Sequence, residues 1–233
     1  MIVAIMQPYF MPYIGYFQLI YASDIFVIYD DVQYIKSGWV NRNRILLNSE
    51  PNYFTISLKK DSTFLNINEK IISNNFILEK DSILRKFEQA YKKAPYYLET
   101  IEIIKKIFYF NDNNLSNMIV NSIKEICLYL NIETKILLSS NLEKNKLEDK
   151  KDKLINICNI LKANKYINPI GGTELYNKDD FKLNEIDLYF LKTRKITYKQ
   201  FNNTFIPNLS IIDILMFNPK DKIKEYLMEY DLI

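Results

Sequence analysis

Short apolar runs alternate with helical patterns at the start of the chain. Ile2–Met6 and Ile25–Tyr29 are continuous apolar runs, which are typical of strands buried in a parallel sheet. Between them, Tyr13–Ala22 carries apolar side chains at helical spacing, after breaks at Pro8 and Pro12. A strand, a helix and a second strand in this order predict a right-handed βαβ unit.

The middle of the chain is dominated by apolar positions three and four residues apart. This spacing predicts three successive amphipathic helices, the first ended by Pro95 and the last reaching Leu130. We therefore predict one α/β domain over residues 1–233, with 76–132 as a mainly helical subdomain. The N-terminal part is predicted as a Rossmann-like parallel sheet and the helical middle as an insertion in it.

The remaining elements are predicted from shorter patterns. Further strands are expected at Tyr53–Leu58, Thr134–Leu138, Tyr166–Pro169, Leu188–Leu191 and Ile196–Tyr198. Residues 32–48 predict an ordered loop or hairpin, and residues 203–208 predict a loop. The charged stretch 143–153 predicts a solvated loop and the start of a helix that continues to Leu161. Ser210 is expected to cap one helix, and Asn218 to cap the last helix with Pro219 at its first position.

The composition limits the catalytic mechanisms that the protein can use. The chain has no histidine, so mechanisms that use imidazole as base, nucleophile or metal ligand are excluded. Cys127 and Cys158 fall on apolar helical faces, where buried free thiols are expected. The net charge of +3 neither requires nor excludes a nucleic-acid partner. No apolar stretch approaches membrane-span length and no secretory signal is recognised, so we expect a cytoplasmic protein.

Polar and aromatic residues gather where the first strand ends. Gly15 falls in the first turn of the predicted helix, where a ligand can approach free N–H groups that favour phosphate. The alternative is that Gly15 only permits close packing of helix on strand. The spacing Tyr13-x-Gly15-Tyr16 resembles the HxGH signature of HUP/nucleotidylyltransferase-like folds, with tyrosine in place of both histidines. Tyrosine can donate a hydrogen bond to phosphate but, with a pKa near 10, is a poor general acid.

Two adjacent aspartates follow the second strand. Because neighbouring residues of a strand point to opposite faces, Asp30 and Asp31 are not expected to share a proton. Either one faces a ligand while the other caps the turn, or both cap the turn. A carboxylate at a strand end can bind a sugar hydroxyl, coordinate Mg²⁺ or act as a general base. Candidate catalytic residues are Asp30, Asp31 and Tyr13.

Two further segments suggest ligand binding. Residues 36–44, KSGWVNRNR, contain the only tryptophan together with two arginines and one lysine. Arginine suits phosphate recognition, and Trp39 can stack on a base or pack against a sugar. Gly171 and Gly172 follow a predicted strand and could form a backbone cradle, the alternative being an ordinary turn.

Four segments of the chain resemble the WbqC-like proteins of bacterial polysaccharide gene clusters. They are MQPYFMPYIGYFQLI, FVIYDDVQYIKSGWVNRNRI, INPIGGTELYNKDDF and LSIIDILMFN. Their order is that of the family over essentially the whole chain, although residues 60–130 match only as generic helices. The resemblance implies a transferase of O-antigen and lipopolysaccharide biosynthesis. It would place an aminoacyl group, such as glycyl, on the amine of a nucleotide-linked deoxyamino sugar.

The resemblance implies a dTDP- or UDP-linked amino sugar as substrate, and an aminoacyl-tRNA or an adenylate made from ATP and Mg²⁺ as donor. Asp30 or Asp31 would accept the proton of the amine, and Asn41, Asn43 or backbone N–H groups near Gly15 would stabilise the oxyanion. An HxGH-like nucleotidyl- or adenylate-forming enzyme and a non-catalytic nucleotide-sugar binding protein are the alternatives. No metal ligand is assigned, and the candidate substrate-binding residues are Gln7, Tyr9, Gly15, Tyr16, Gln33, Lys36, Trp39, Asn41, Arg42, Asn43, Gly171 and Gly172.

Overall fold

The computed structural model describes residues 1–145, 149–201 and 204–233, so the predicted loops at 143–153 and 203–208 lie partly outside it. The strands are β1 Ile2–Met6, β2 Ile25–Ile28, β3 Arg42–Leu47, β4 Glu50–Thr55, β5 Lys135–Leu138, β6 Lys165–Pro169, β7 Asp187–Thr193 and β8 Tyr230–Leu232. The α-helices are α1 Ile14–Tyr21, α2 Asn75–Tyr91, α3 Tyr97–Phe108, α4 Leu115–Leu130, α5 Lys150–Ile160, α6 Lys178–Lys182, α7 Ile211–Phe217 and α8 Lys220–Leu227.

A six-stranded sheet in the order β5-β2-β1-β6-β7-β8 forms the centre of the fold. Neighbouring strands are parallel except at one edge, where β8 is antiparallel to β7. The chain leaves β1 toward β2 and β5 on one side and later adds β6 and β7 on the other. The strand order therefore reverses between β1 and β6. The predicted α/β class is confirmed, and this order is consistent with a Rossmann-like arrangement.

Helices cover both faces of the sheet, because alternate residues of each strand face opposite ways. Val3 and Ile5 of β1 pack into a smaller core with α5 and α6. Ala4 packs into the larger core, which holds α1, α4, α7 and α8. The apolar faces of α2 and α3 extend this larger core, and Phe87 of α2 is fully buried there.

The β3–β4 hairpin is a separate two-stranded sheet. It joins the helical middle through the backbone N–H of Leu46, which donates to the hydroxyl of Tyr91 over 2.9 Å. The strand expected at Tyr53–Leu58 lies three residues earlier, as β4, because its pairing with β3 fixes Tyr53 opposite Arg44.

Two predictions near the carboxyl terminus are wrong in detail. No strand forms at Ile196–Tyr198, where the hydroxyl of Tyr198 donates instead to Asp213 over 2.6 Å. Pro219 rather than Asn218 occupies the N-cap position of the last helix, without a side-chain cap, and the Asn218 side chain donates back to the carbonyl of Ile214 over 3.0 Å. The expected Ser210 cap is confirmed, since its side chain accepts from the N–H of Ile212.

Two further observations concern the residues that the structure describes. Cys127 and Cys158 are buried free thiols, as predicted. Among the described helices, none has the combined length and apolar character that crossing a membrane requires.

Candidate functional site

A cleft of about 710 Å³ opens at the carboxyl ends of β1, β2 and β6. Met6 and Gln7 come from the end of β1, Tyr29 follows β2, and Pro169 ends β6. The register places Met6 beside Ile28, so the first two strands end side by side. Because the strand order reverses between β1 and β6, the cleft lies where open α/β sheets bind ligands.

Aromatic side chains form much of the wall of the cleft, namely Tyr9, Tyr29, Tyr166 and Tyr176. Burial, with smaller contributions from the nearby Asp31 carboxylate and from Tyr176, raises the pKa of Tyr29 to about 12. Tyr29 is therefore a protonated hydrogen-bond donor at neutral pH. Tyr166 is fully buried and accepts a hydrogen bond of 2.6 Å from the amide of Asn168, which also lines the cleft.

Two lysines bring positive charge to the cleft from the first turns of α5. Lys150 and Lys153 stand three residues apart, so they share one face of the helix. Neither forms an ion pair with a carboxylate of the described residues. Lys151, between them, pairs with Asp180 over 3.3 Å. The unpaired lysines suit an anionic group such as a diphosphate.

The two adjacent aspartates have different surroundings. Asp30 is buried, with 1% of its surface exposed, and accepts from the backbone N–H of Ser140 over 3.0 Å and from its hydroxyl over 2.7 Å. These two hydrogen bonds connect the end of β2 to the turn after β5. Asp31 lines the cleft and accepts from Ser139 Oγ and Lys144 Nζ. Of the two carboxylates, Asp31 is the one that a ligand in the cleft can reach.

The start of α1 lies away from the cleft. Tyr13 lines a second cavity of about 500 Å³ between the start of α1 and the segment after β7. A Cβ on Gly15 would lie 2.4 Å from the Tyr13 ring, so the missing side chain makes room for that ring. Tyr16 is buried, and its hydroxyl donates to the carbonyl of Gln7 over 3.0 Å.

Both candidate asparagines of the β3 region bond to the backbone of the protein. Asn41 accepts from the Tyr34 hydroxyl and donates to the carbonyl of Ile56, each over 2.8 Å. Asn43 donates to the carbonyls of Phe10 and Met11 over 3.2 and 2.9 Å. Both side chains are buried, so their amides hold the hairpin and the loop before α1 in place.

The structure thus divides the candidate residues. The cleft brings together Gln7, Tyr9, Asp31, Gln33, Gly171 and Gly172. Outside its lining lie Tyr13, Gly15, Tyr16, Asp30, Lys36, Trp39, Asn41, Arg42 and Asn43. Sequence reasoning missed Lys150, Lys153 and Asn168. The signal for Asn168 was available, because it is a polar residue near the end of a predicted strand, as Gln7 is.

The glycines after β6 differ in their surroundings. A Cβ on Gly172 would lie 2.3 Å from Oδ1 of Asn168, whereas one on Gly171 would meet nothing within 4 Å. Gly172 therefore lets the Asn168 side chain lie over the turn, and the backbone at Gly171 stays open to a ligand. Within the described residues, no three or more Cys, Asp or Glu side chains are grouped to hold a metal ion.

An α/β protein with an aromatic and cationic cleft at the reversal of its sheet is the class that these observations define. The model of the WbqC-like protein family matches residues 7–225, and the chain belongs to that family. An uncharacterized protein of Mycobacterium tuberculosis is 30% identical over 230 residues, which cover 97% of this chain and 96% of that protein. No solved structure matches the chain significantly.

Proposed function

We propose that the protein is a transferase of bacterial surface-glycan biosynthesis that N-acylates a nucleotide-linked deoxyamino sugar bound in the cleft. The acyl group is an aminoacyl group such as glycyl. The observation that carries the proposal is the presence, in one cleft, of two lysines without an ion pair among the described residues, a reachable carboxylate and several tyrosines. A nucleotide diphosphate sugar offers a matching set of groups, namely a diphosphate, an amine and flat rings.

Binding is divided among three parts of the cleft. Lys150 and Lys153 hold the diphosphate through charge-assisted hydrogen bonds. The backbone at Gly171, at the end of β6, is open to the same diphosphate. The rings of Tyr9 and Tyr176 offer apolar faces against which a base or a sugar ring can pack.

The chemistry needs a proton acceptor and an oxyanion donor. The amine nitrogen attacks the acyl carbon, and Asp31 accepts the proton that the nitrogen loses. The hydroxyl of Tyr29, which is protonated at neutral pH, donates to the developing oxyanion. The bond from the acyl carbon to the donor oxygen then breaks, and the proton on Asp31 passes to that oxygen. No covalent enzyme intermediate is required.

The structure gives less support to an HxGH-like nucleotidyl- or adenylate-forming enzyme. The Tyr16 hydroxyl is buried and occupied by the carbonyl of Gln7, and Tyr13 lines the second cavity rather than the cleft. A magnesium-dependent release of pyrophosphate from ATP or CTP would favour that enzyme. Nucleotide-sugar binding without any turnover would favour a binding protein.

The test measures nucleotide-sugar binding and product formation. Titration calorimetry with dTDP- and UDP-amino sugars is expected to show binding that Lys150→Ala and Lys153→Ala each weaken about ten- to a hundred-fold. Lys151→Ala is the matched control, because Lys151 lies on the same turn but pairs with Asp180. Mass spectrometry then follows acyl transfer to the sugar amine. An equal loss in the Lys151→Ala control, or an absence of binding, contradicts the proposal.

A further inference from the structure

The β3–β4 hairpin and the turn before it carry a stack of two exposed aromatic rings with two half-buried arginines beside them. The rings of Trp39 and Tyr53 are stacked, with centroids 6.2 Å apart and planes at 25°. The guanidinium of Arg42 lies 4.8 Å from the centroid of Tyr53, and that of Arg44 lies 5.2 Å from the centroid of Trp39. Trp39 is 38% exposed and Tyr53 is 45% exposed. These four residues are called the Trp39 stack below.

Both arginines of the stack keep their charge unpaired among the described residues. Arg42 donates to the carbonyls of Ser37 and Gly38, and Arg44 to the carbonyl of Asn208 over 3.4 Å. The Nε of Arg44 is buried and has no hydrogen-bond acceptor in the described part of the chain. Two cations beside exposed rings, without a neutralising carboxylate, form a surface suited to a polyanion.

The charge of the surrounding sequence is also one-sided. Residues 32–60 contain five Lys or Arg and one Asp or Glu, a net +4, whereas the whole chain has a net charge of +3. The rest of the chain is therefore slightly acidic. The other 26 Lys and Arg are balanced by 27 Asp and Glu, so the net positive charge of the chain comes from the segment that contains the stack.

The stack also lies close in sequence to the cleft. Gln33 and Ile35 line the cleft, and Ile35 accepts a hydrogen bond of 3.3 Å from the N–H of Gly38, next to Trp39. Lys36 is exposed between them. A linear polymer bound on the stack can therefore extend one of its ends over this turn toward the cleft.

We propose that the Trp39 stack binds single-stranded nucleic acid. Bases would stack on the exposed rings and guanidinium planes, and Arg42, Arg44 and Lys36 would contact phosphates, as in other sites that combine aromatic rings with a basic surface. The inference rests on the proposed function in one respect. It identifies the acyl donor as one carried on a single-stranded RNA end, the aminoacyl-tRNA, rather than a free adenylate.

The first experiment measures the fluorescence anisotropy of a short labelled single-stranded RNA. The wild-type protein is expected to bind it more tightly than a blunt duplex of the same sequence. Trp39→Ala and Tyr53→Ala are each expected to weaken binding about five- to a hundred-fold through lost stacking. Arg44→Ala is expected to reduce the slope of log affinity against log salt by about 0.7.

Matched controls separate the stack from exposed aromatic residues in general. Phe110 is 39% exposed and Tyr21 is 44% exposed, close to the values for Trp39 and Tyr53, and both lie outside residues 32–60. Phe110→Ala and Tyr21→Ala are expected to leave RNA binding unchanged. Trp39→Phe keeps a ring at the position and is expected to retain most of the affinity, which controls for misfolding of the alanine variant.

The outcomes separate this inference from the proposed function. RNA binding that depends on Trp39, without nucleotide-sugar binding, would support the stack and overturn the proposed function. Nucleotide-sugar binding without RNA binding would support the proposed function and overturn the RNA-binding role of the stack. Equal affinity for single strand and duplex, equal losses in the control variants, or binding of an anionic polysaccharide in place of RNA would each overturn the inference.

Discussion

The side-chain amide of Asn43 donates to the carbonyl oxygen of Met11 over 2.9 Å. Met11 is a buried non-glycine residue with φ of 45°, in the left-handed region that such residues rarely adopt. The hydroxyl of Ser210 donates to the same carbonyl over 2.7 Å. Together they fix the loop that places Tyr9 in the cleft and Tyr13 in the second cavity.

Replacing Asn43 with alanine is therefore expected to destabilise the protein. Asn43→Ala removes this donor from the carbonyl of Phe10 and leaves that of Met11 with Ser210 alone, which should lower the free energy of unfolding by about 1–3 kcal/mol. Urea denaturation measures the change. The control is Asn159→Ala at an exposed position on α5, where a change within about 0.5 kcal/mol is expected. Equal stability of Asn43→Ala and the wild type would show that the loop needs no such support.

Asn43 also shows where sequence reasoning stops. The apolar runs at Ile2–Met6 and Ile25–Tyr29 predicted the central strands, because buried parallel strands require continuous apolar sequence. The sequence also shows polar residues directly after each of these strands. An asparagine among basic and aromatic residues resembles a ligand-binding group, however, and only the tertiary structure shows that its partner is a carbonyl 32 residues earlier.

The sequence did not predict the two lysines of the cleft, for a related reason. Lys150 and Lys153 lie in a run of charges that predicts a solvated surface, and nothing local distinguishes them from Lys151. Their position in the cleft depends on α5 packing against the face of the sheet that holds Val3 and Ile5. The edge strand β8 was missed too, because its three residues are too few to show a period.

The two glycines after β6 provide a matched pair of substitutions. Gly172→Ala puts a Cβ 2.3 Å from Asn168 Oδ1, so the Asn168 side chain must move and its 2.6 Å bond to Tyr166 is disturbed. We expect weaker nucleotide-sugar binding with a stability loss of about 1 kcal/mol, the value of one hydrogen bond. Gly171→Ala meets nothing within 4 Å and is expected to leave stability unchanged. Calorimetry and urea denaturation of both variants decide whether Asn168 shapes the cleft.

The adjacent aspartates are expected to respond differently to the same substitution. Asp31→Asn should lower kcat about 10²- to 10⁴-fold through loss of the proton acceptor, with the fold and nucleotide binding largely kept. Asp30→Asn should lower stability by about 1–3 kcal/mol, because an amide cannot replace both acceptor oxygens facing Ser140. Turnover assays and thermal unfolding of the two variants test this. Wild-type turnover in Asp31→Asn would remove the aspartate-base mechanism.

A buried carboxylate beneath the second cavity should make stability depend on pH. Asp213 accepts hydrogen bonds from Tyr91 over 2.7 Å, and from Tyr198 and Gln200 over 2.6 Å each. Burial raises the pKa of Asp213, and these three donors lower it by less. An aspartate in the unfolded chain titrates near a pKa of about 3.9. The folded state thus holds the Asp213 proton more tightly than the unfolded state does.

The sign of the effect follows from proton linkage. The contribution of protonated Asp213 to stability is fully present below a pH of about 3.9 and is lost as the pH rises through the raised folded pKa. The stability of the wild type relative to Asp213→Asn should therefore fall as the pH rises above about 4, as measured by urea denaturation at a series of pH values.

Asp187 gives the opposite control, because its hydrogen bond and ion pair with Lys182 lower its pKa. The stability of the wild type relative to Asp187→Asn should fall on acidification. A difference for Asp213→Asn that is independent of pH, or that grows as the pH rises, would show that burial does not control this carboxylate.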